Sequence, residues 1–341
     1  MRTPPIAGVR GAEWGQVARD APAKLNLTLA ILGRRPDGFH DLHSVMVAVG
    51  LADRLELRIA AGPVDTLTVV GPGGDPVSGD LGPPQDNLVL RGIGAARAAL
   101  RATAVEAPLP ALAARLEKRI PVAAGLGGGS SDGAAAIDGS LEAWGLATML
   151  DPAARHAAAA ALGSDVPFFL AGGWALVEGR GERVTPLPGV RGAAPWVLLV
   201  TPAVAASTAA AYAAYAAGVR PSAGASLATS SHLAAELARG LAAGRFLDRA
   251  GVLTASNDLA PATAALLPAL GGLRRGLGRL LGRPVGQSGS GPTLWVLYPS
   301  EAAAREAADL VGREAADGSL EAPGDTPPFV VAAPIAGGRQ P

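Results

Sequence analysis

The segment Pro121-Val122-Ala123-Ala124-Gly125-Leu126-Gly127-Gly128-Gly129-Ser130-Ser131-Asp132 decides how the rest of this chain is read. It follows Arg115–Ile120, whose pattern predicts a strand, and leads into a predicted helix from Ser131 to Trp144 that Gly145 stops. Glycine lets the backbone turn sharply and approach a ligand with no Cβ in the way. The helix start beyond it offers unpaired N–H groups and the positive end of the helix dipole, which together suit a phosphate. Ser130 and Ser131 add hydroxyls, as donors or as an oxygen ligand for Mg²⁺. In a chain with 46 Gly, a plain strand–helix turn would use the same glycines. The placement between strand and helix and the paired serines point to phosphate binding. The segment is not a Walker A loop, because no Gly-Lys-[Ser/Thr] closes it, and no acidic residue about 20 positions on completes a dinucleotide fingerprint. A cation for a triphosphate must come from elsewhere in the chain.

On the N-terminal side, Lys24-Leu25-Asn26-Leu27-Thr28-Leu29 alternates polar and apolar side chains, as a half-buried strand does. Arg34-Arg35-Pro36-Asp37-Gly38 reads as a turn. Val45–Val49, Arg54–Ile59 and Thr66–Val70 predict further strands, and Asp86-Asn87 caps a helix reaching about Arg101. On the C-terminal side, Asp151-Pro152 starts a helix that Gly163 ends. Trp174–Glu178 and Glu182–Pro186 flank Gly179-Arg180-Gly181 as a hairpin, and residues 186–195 read as a hinge between domains. A strand at 196–200, a helix at 207–217, a loose stretch at 218–230 and helical patterns at 231–249 and 260–281 follow. Thr293–Tyr298 predicts a strand and Ser300–Gly312 a helix.

Composition excludes several classes. The formal charge is zero, so no global field favours nucleic acid or anionic lipid. Cysteine is absent, which rules out disulfides, thiolate zinc sites and a Cys nucleophile, and four His leave little for a His-rich metal centre. Residues 192–219 carry no charge over a membrane-length stretch, but two prolines and several hydroxyls favour a strand and an Ala-rich helix. Met1-Arg2-Thr3-Pro4-Pro5 lacks the apolar core of a signal peptide, so a cytoplasmic protein with no membrane partner is expected. Only Lys24 and Lys118 are lysines; the other basic residues are arginines.

The segment 121–132 resembles the signature loop of the GHMP kinases, a family of small-molecule kinases. Three more stretches resemble that family in the right order: Ala21-Pro22-Ala23-Lys24-Leu25-Asn26-Leu27, Leu162-Gly163-Ser164-Asp165-Val166-Pro167-Phe168 and Gly286-Gln287-Ser288-Gly289-Ser290-Gly291-Pro292. Arg35-Pro36-Asp37-Gly38-Phe39-His40-Asp41-Leu42 is similar to a segment of one branch, whose acceptor is a cytidyl diphosphate. The chain departs from the pattern at Ala123 and Ala124, where Gly is frequent, at Asp132, where Asn is also common, and at Phe39, where Tyr is more usual.

The resemblance implies an α/β fold (α+β by topology) of two domains. Residues 18–188 would form an ATP-binding domain like the second domain of ribosomal protein S5, and 195–316 a ferredoxin-like domain. Residues 1–17 are expected to be an extension and 317–341 a tail. ATP would bind residues 121–131 (Pro121, Val122, Ala123, Ala124, Gly125, Leu126, Gly127, Gly128, Gly129, Ser130 and Ser131) together with Asn87, which a plain helix cap explains equally well. Lys24 and Asp165 would be catalytic. Asn26, Phe39, His40, Thr208 and Tyr212 would bind the acceptor, with Phe39 and Tyr212 stacking on the base and His40 hydrogen-bonding to it. Mg²⁺ is implied by ATP chemistry, with its ligands unassigned, and the protein would be a monomer or weak homodimer. Alternatives are a GHMP kinase acting on homoserine or a mevalonate derivative, or a nucleotide-binding protein on the same scaffold without catalysis.

Overall fold

The computed structural model describes residues 17–77, 81–103, 106–218 and 224–337. The expected extension lies outside the described residues apart from Val17, as do residues 219–223 of the stretch read as loose and 338–341 of the expected tail. The chain runs through β1 (Val17–Asn26), β2 (Ala30–Arg34), β3 (His40–Ile59), β4 (Thr66–Val70), α1 (Leu88–Ala102), β5 (Leu112–Glu117) and α2 (Gly128–Ala143). Then come α3 (Pro152–Leu162), α4 (Val166–Ala171) and the hairpin β6 (Trp174–Gly179) and β7 (Arg183–Leu187). The second half holds β8 (Trp196–Thr201), α5 (Thr208–Ala216), α6 (Ala225–Ala238), α7 (Ala243–Leu247), α8 (Ala250–Thr254), α9 (Ala260–Leu266) and α10 (Pro268–Leu281). It closes with β9 (Gly286–Gln287), β10 (Leu294–Tyr298), α11 (Glu301–Ala316) and β11 (Phe329–Pro334).

The described residues form two sheets. The first has seven strands in the order β4-β5-β3-β6-β7, with β1 and β2 also paired to β3. The sequence suggests two strands at 45–49 and 54–59, but β3 is continuous. β1 pairs with both of its halves, and a register shift between Pro22 and Ala23 absorbs the bend. Helices α1 and α2 cover one face, where Val89, Ile93 and Leu100 meet Leu55, Leu57, Leu116 and Ile137.

The second sheet is antiparallel, in the order β11-β8-β10-β9. Its chain order of strand, helices, two strands, helix, strand is ferredoxin-like. That arrangement needs a fourth strand, and residues 317–341, expected to be a tail, supply it as β11. Its Pro content disguises it, but β11 is an edge strand and ends on Pro334, where a missing N–H is tolerated. Just beyond β11, Ala336 donates to Ala48 O (2.9 Å) and accepts from Trp174 Nε1 (2.7 Å), tying the second sheet to the first. One core spans both halves: Leu25, Val47 and Trp174 pack with Val197, Leu199 and Trp295.

Helix limits also differ from the sequence reading. The pattern at 231–249 divides into α6 and α7, with α6 beginning inside the stretch read as loose. The pattern at 260–281 breaks at Leu267, which precedes Pro268 and sits at φ −130°, ψ 74°. Among the described residues no helix is long and apolar enough to cross a membrane.

Candidate active site

A cleft of ≈1190 Å³ is lined from both halves of the molecule. That exceeds the roughly 300–1,000 Å³ typical of a small-molecule site. At one end lies the segment 121–130, with Asn87 beside it. Leu126 O accepts from Lys24 N (2.9 Å), which fixes the loop to β1. Gly127 is the N-cap of α2 in the left-handed region (φ 71°), and no side chain caps the helix. The N–H groups of its first turn are therefore open to a ligand. Helix α2 starts three residues earlier than its pattern suggests, so Gly128 and Gly129 belong to that turn. Ala123, one of the departures from the family pattern, holds a left-handed φ of 55° that costs an alanine about 1–2 kcal/mol. Ser130 lines the cleft, whereas Ser131 is buried beneath it. Asn87 both lines the cleft and caps α1, its Oδ1 accepting from Val89 N at 2.9 Å.

Lys24 and Asp165 meet in the middle of the cleft, with 3.7 Å between Nζ and Oδ2. The alternation of β1 sends Ala23 and Leu25 into the core and leaves Lys24 on the cleft side, almost wholly buried. Its ammonium donates to Asn26 Oδ1 (2.7 Å), and Asn26 Nδ2 donates to Ser44 Oγ (2.9 Å). Asn26, expected to contact the acceptor, thus orients Lys24. Burial lowers the Lys24 pKa, and the Asp165 carboxylate partly opposes that shift. Asp165 occupies the N-cap position of α4 but makes no capping bond, so its carboxylate is turned to Lys24 instead.

Sequence reasoning missed a second ionic group. Lys118 also lines the cleft, buried between Asp53 and Asp132, with Asp132 Oδ2 at 2.8 Å and a short bond to Asp53. Asp53 Oδ1 also accepts from Arg119 N (2.5 Å) and Ile120 N (2.8 Å). These bonds draw residues 118–120 out of the strand that the sequence extends to Ile120. Asp132, the unusual negative charge beside the loop, therefore faces a cation. Its carboxyl is pushed up to about 7, chiefly by burial, with Lys118 opposing and Asp53 adding to the rise. Its Oδ1 and the Ser131 Oγ are buried without hydrogen-bond partners.

At the other end, Thr208 and Tyr212 face the cleft from successive turns of α5. Thr208 Oγ1 accepts from Ser290 Oγ at 3.0 Å. Tyr212 stacks on His40 (centroids 5.0 Å apart, planes at 28°), while Phe39, about half exposed, lies under the Arg180 guanidinium (5.2 Å). Burial, helped by the Asp165 charge, raises the Tyr212 pKa, so its phenol stays protonated. Asn257, given no role from the sequence, donates to Gly289 O (2.8 Å) and Gln287 O (3.1 Å) and supports the C-terminal glycine motif.

Residues 87–173 match the GHMP kinases N terminal domain, a span holding Asn87, the glycine loop and Asp165. The chain is 39% identical over 293 residues to a 4-diphosphocytidyl-2-C-methyl-D-erythritol kinase of Pelotomaculum thermopropionicum, covering 84% of this chain and 91% of that protein. The chain belongs to this family of GHMP kinases. An enzyme of the same name from Methylorubrum extorquens is 40% identical over 304 residues, covering 85% of this chain and 92% of the relative. The crystal structure of a 4-(cytidine 5'-diphospho)-2C-methyl-D-erythritol kinase superposes with a TM-score of 0.63 at 30% identity, over 94% of this chain and all of that one. Homoserine kinase from Cytophaga hutchinsonii superposes at 0.66 but is 17% identical over 96% of this chain and 97% of its own, which shows the shared GHMP fold alone.

Proposed function

We propose that this chain transfers the γ-phosphoryl group of ATP to the 2-hydroxyl of 4-diphosphocytidyl-2-C-methyl-D-erythritol, a step of non-mevalonate isoprenoid biosynthesis in the cytoplasm. The observation that carries the reading is the Lys24–Asp165 pair standing between an open helix start and a group of aromatic rings in one cleft. ATP phosphates would lie on the first turn of α2, with the nucleoside near Asn87. The cytidyl end of the acceptor would lie among Phe39, His40 and Tyr212, and Thr208 would line its path.

In this reading the acceptor hydroxyl oxygen bonds to the γ-phosphorus as the bond from that phosphorus to the β–γ bridging oxygen breaks. The hydroxyl proton passes to the Asp165 carboxylate, and ADP leaves. A carboxylate is a weak base, but the loose transition state of phosphoryl transfer asks mainly for alignment and charge stabilisation. Lys24, held by Asn26, supplies the positive charge beside the oxygen that becomes anionic. Mg²⁺ would enter with ATP and neutralise phosphate charge. Among the described residues no three acidic or histidine side chains cluster to hold a resident ion, and the side-chain oxygens that line the cleft at the loop include those of Ser130, Asp132 and Asp165.

A coupled assay of ADP release with this acceptor, homoserine and mevalonate tests the proposal. Turnover with the cytidyl acceptor alone is expected. Turnover with either of the others, or ATP binding without turnover on any acceptor, would replace it.

A further inference from the structure

Arg180 stands at the tip of the β6–β7 hairpin, between Gly179 and Gly181, whose φ values of 69° and 125° make the tight turn. The tip is clamped from two sides. Glu182 Oε2 accepts from Arg180 N (2.7 Å), and a Cβ on Gly181 would fall 2.7 Å from Ser164 O. The hairpin therefore rests against the residue that precedes Asp165. From there the arginine side chain lies along the cleft wall. Its Nη2 donates to Ala160 O in the last turn of α3 (3.1 Å), and its Cζ sits over the Phe39 ring. Phe39 has no hydroxyl and presents a bare face that holds the guanidinium by a cation–π contact. The neighbouring carboxylates of Asp37 and Asp41 are both engaged by Arg35. Among the described residues no carboxylate forms an ion pair with Arg180.

The wall between Phe39 and Asp165 thus carries a guanidinium that Asp37 feels only at longer range and that no carboxylate among the described residues pairs with directly. The acceptor proposed above has its base at one end, its reacting hydroxyl at the other and a diphosphate between them. We infer that Arg180 is a specificity-determining residue that binds the acceptor's diphosphate. The inference rests on the acceptor reading above. A guanidinium presents parallel N–H donors that match phosphate oxygens, and its placement would favour nucleoside diphosphates over the bare nucleoside.

Calorimetric titration of the full chain with cytidine and with cytidine diphosphate tests it, using the unsubstituted protein, Arg180→Gln and Arg180→Lys. The unsubstituted protein should bind the diphosphate at least about tenfold more tightly than cytidine, the scale of one or two charge-assisted hydrogen bonds. Arg180→Gln should lose about that factor for the diphosphate and less than about twofold for cytidine, and Arg180→Lys should recover part of it. Equal losses for both ligands would make Arg180 a prop for Phe39 and overturn the inference, as would an unchanged preference for the diphosphate. If the unsubstituted protein binds neither ligand, the acceptor reading falls and takes this inference with it. The titration without any substitution distinguishes that failure from the others.

Discussion

Gly125 and Gly291 pack backbone against backbone, although they lie in the connecting loops of different sheets. A Cβ on Gly125 would fall 2.5 Å from Gly291 Cα and 2.7 Å from Ser288 O, and one on Gly291 would collide with Ala124 O and the Gly125 backbone. Thr293 Oγ1 and Ser288 Oγ donate to Ala124 O (2.8 Å) and Gly125 O (3.0 Å) across the same seam. The glycine loop at 121–130 is thus shaped by the glycine motif at 286–292 pressed against it.

Gly291→Ala is therefore expected to destabilise the protein by about 1–3 kcal/mol, the usual cost of forcing atoms into a packed contact. Gly125→Ala adds the left-handed penalty of its φ of 80°. Both should raise KM for ATP. Gly129→Ala is the contrast, because its Cβ would meet only Leu88 at 3.9 Å. It should leave the melting temperature nearly unchanged and raise KM for ATP by blocking close approach. Thermal unfolding and ATP-dependent initial rates check all three.

Lys24 and Asp165 are expected to act as one unit. Asp165→Asn and Lys24→Ala should each lower kcat by about 10²–10⁴-fold. Groups that work together lose their joint effect at the first substitution, so the double variant should fall by less than the product. Steady-state kinetics of the four proteins close the cycle. Turnover near the unsubstituted level in either single variant would sink the pair.

The alkaline side of the kcat profile should report Lys24. Its charged form exists below its pKa, and burial sets that value below the ordinary lysine range of about 10.4, Asp165 partly offsetting the shift. Activity should therefore fall as pH rises through a value below that range. Lys24→Arg should keep some activity and push the fall to higher pH, because a guanidinium does not deprotonate. A kcat profile to pH 10 decides this.

Asp132 makes stability depend on pH near neutrality. Its carboxyl titrates at about 7 in the fold, above its ordinary value, mainly through burial. The stabilisation from keeping it protonated is full at acid pH and is lost as pH rises through about 7. Asp132→Asn removes that loss and leaves Lys118 paired with Asp53. The variant should melt about 2–4 °C higher than the unsubstituted protein at pH 8, the effect of about 1 kcal/mol in a domain of this size. The difference should shrink toward pH 5. Melting curves across that range measure it, and equal melting temperatures at pH 8 would refute the account.

Much of this site was legible in the chain itself. Helix starts at Asn87, Asp151, Ser207 and Ser300 could be read because each cap bonds to an N–H two or three residues on. The turn between β5 and α2 could be read because its glycines serve backbone needs of the loop itself, and the placement of Lys24 because strand alternation assigns its face. These are local relationships, and local sequence carries them.

The rest was decided by tertiary structure. Asp53 and Lys118 are 65 residues apart, and nothing near either one announces the other. Both lysines of the chain end in the cleft, yet only one sits in a motif that says so. Composition also worked against the reading: Pro and small residues after Asp317 look like a tail until β8 offers an edge for residues 329–334 to complete. The pairing of Tyr212 with His40, and of Phe39 with Arg180, depends on how α5 and the β6–β7 hairpin close over the turn at 34–38. Sequence by itself determined the backbone conformation of the glycine loop and the face of β1 that carries the ammonium. Only the fold decided which charges and rings stand opposite them, because those contacts join segments that meet when the two sheets pack.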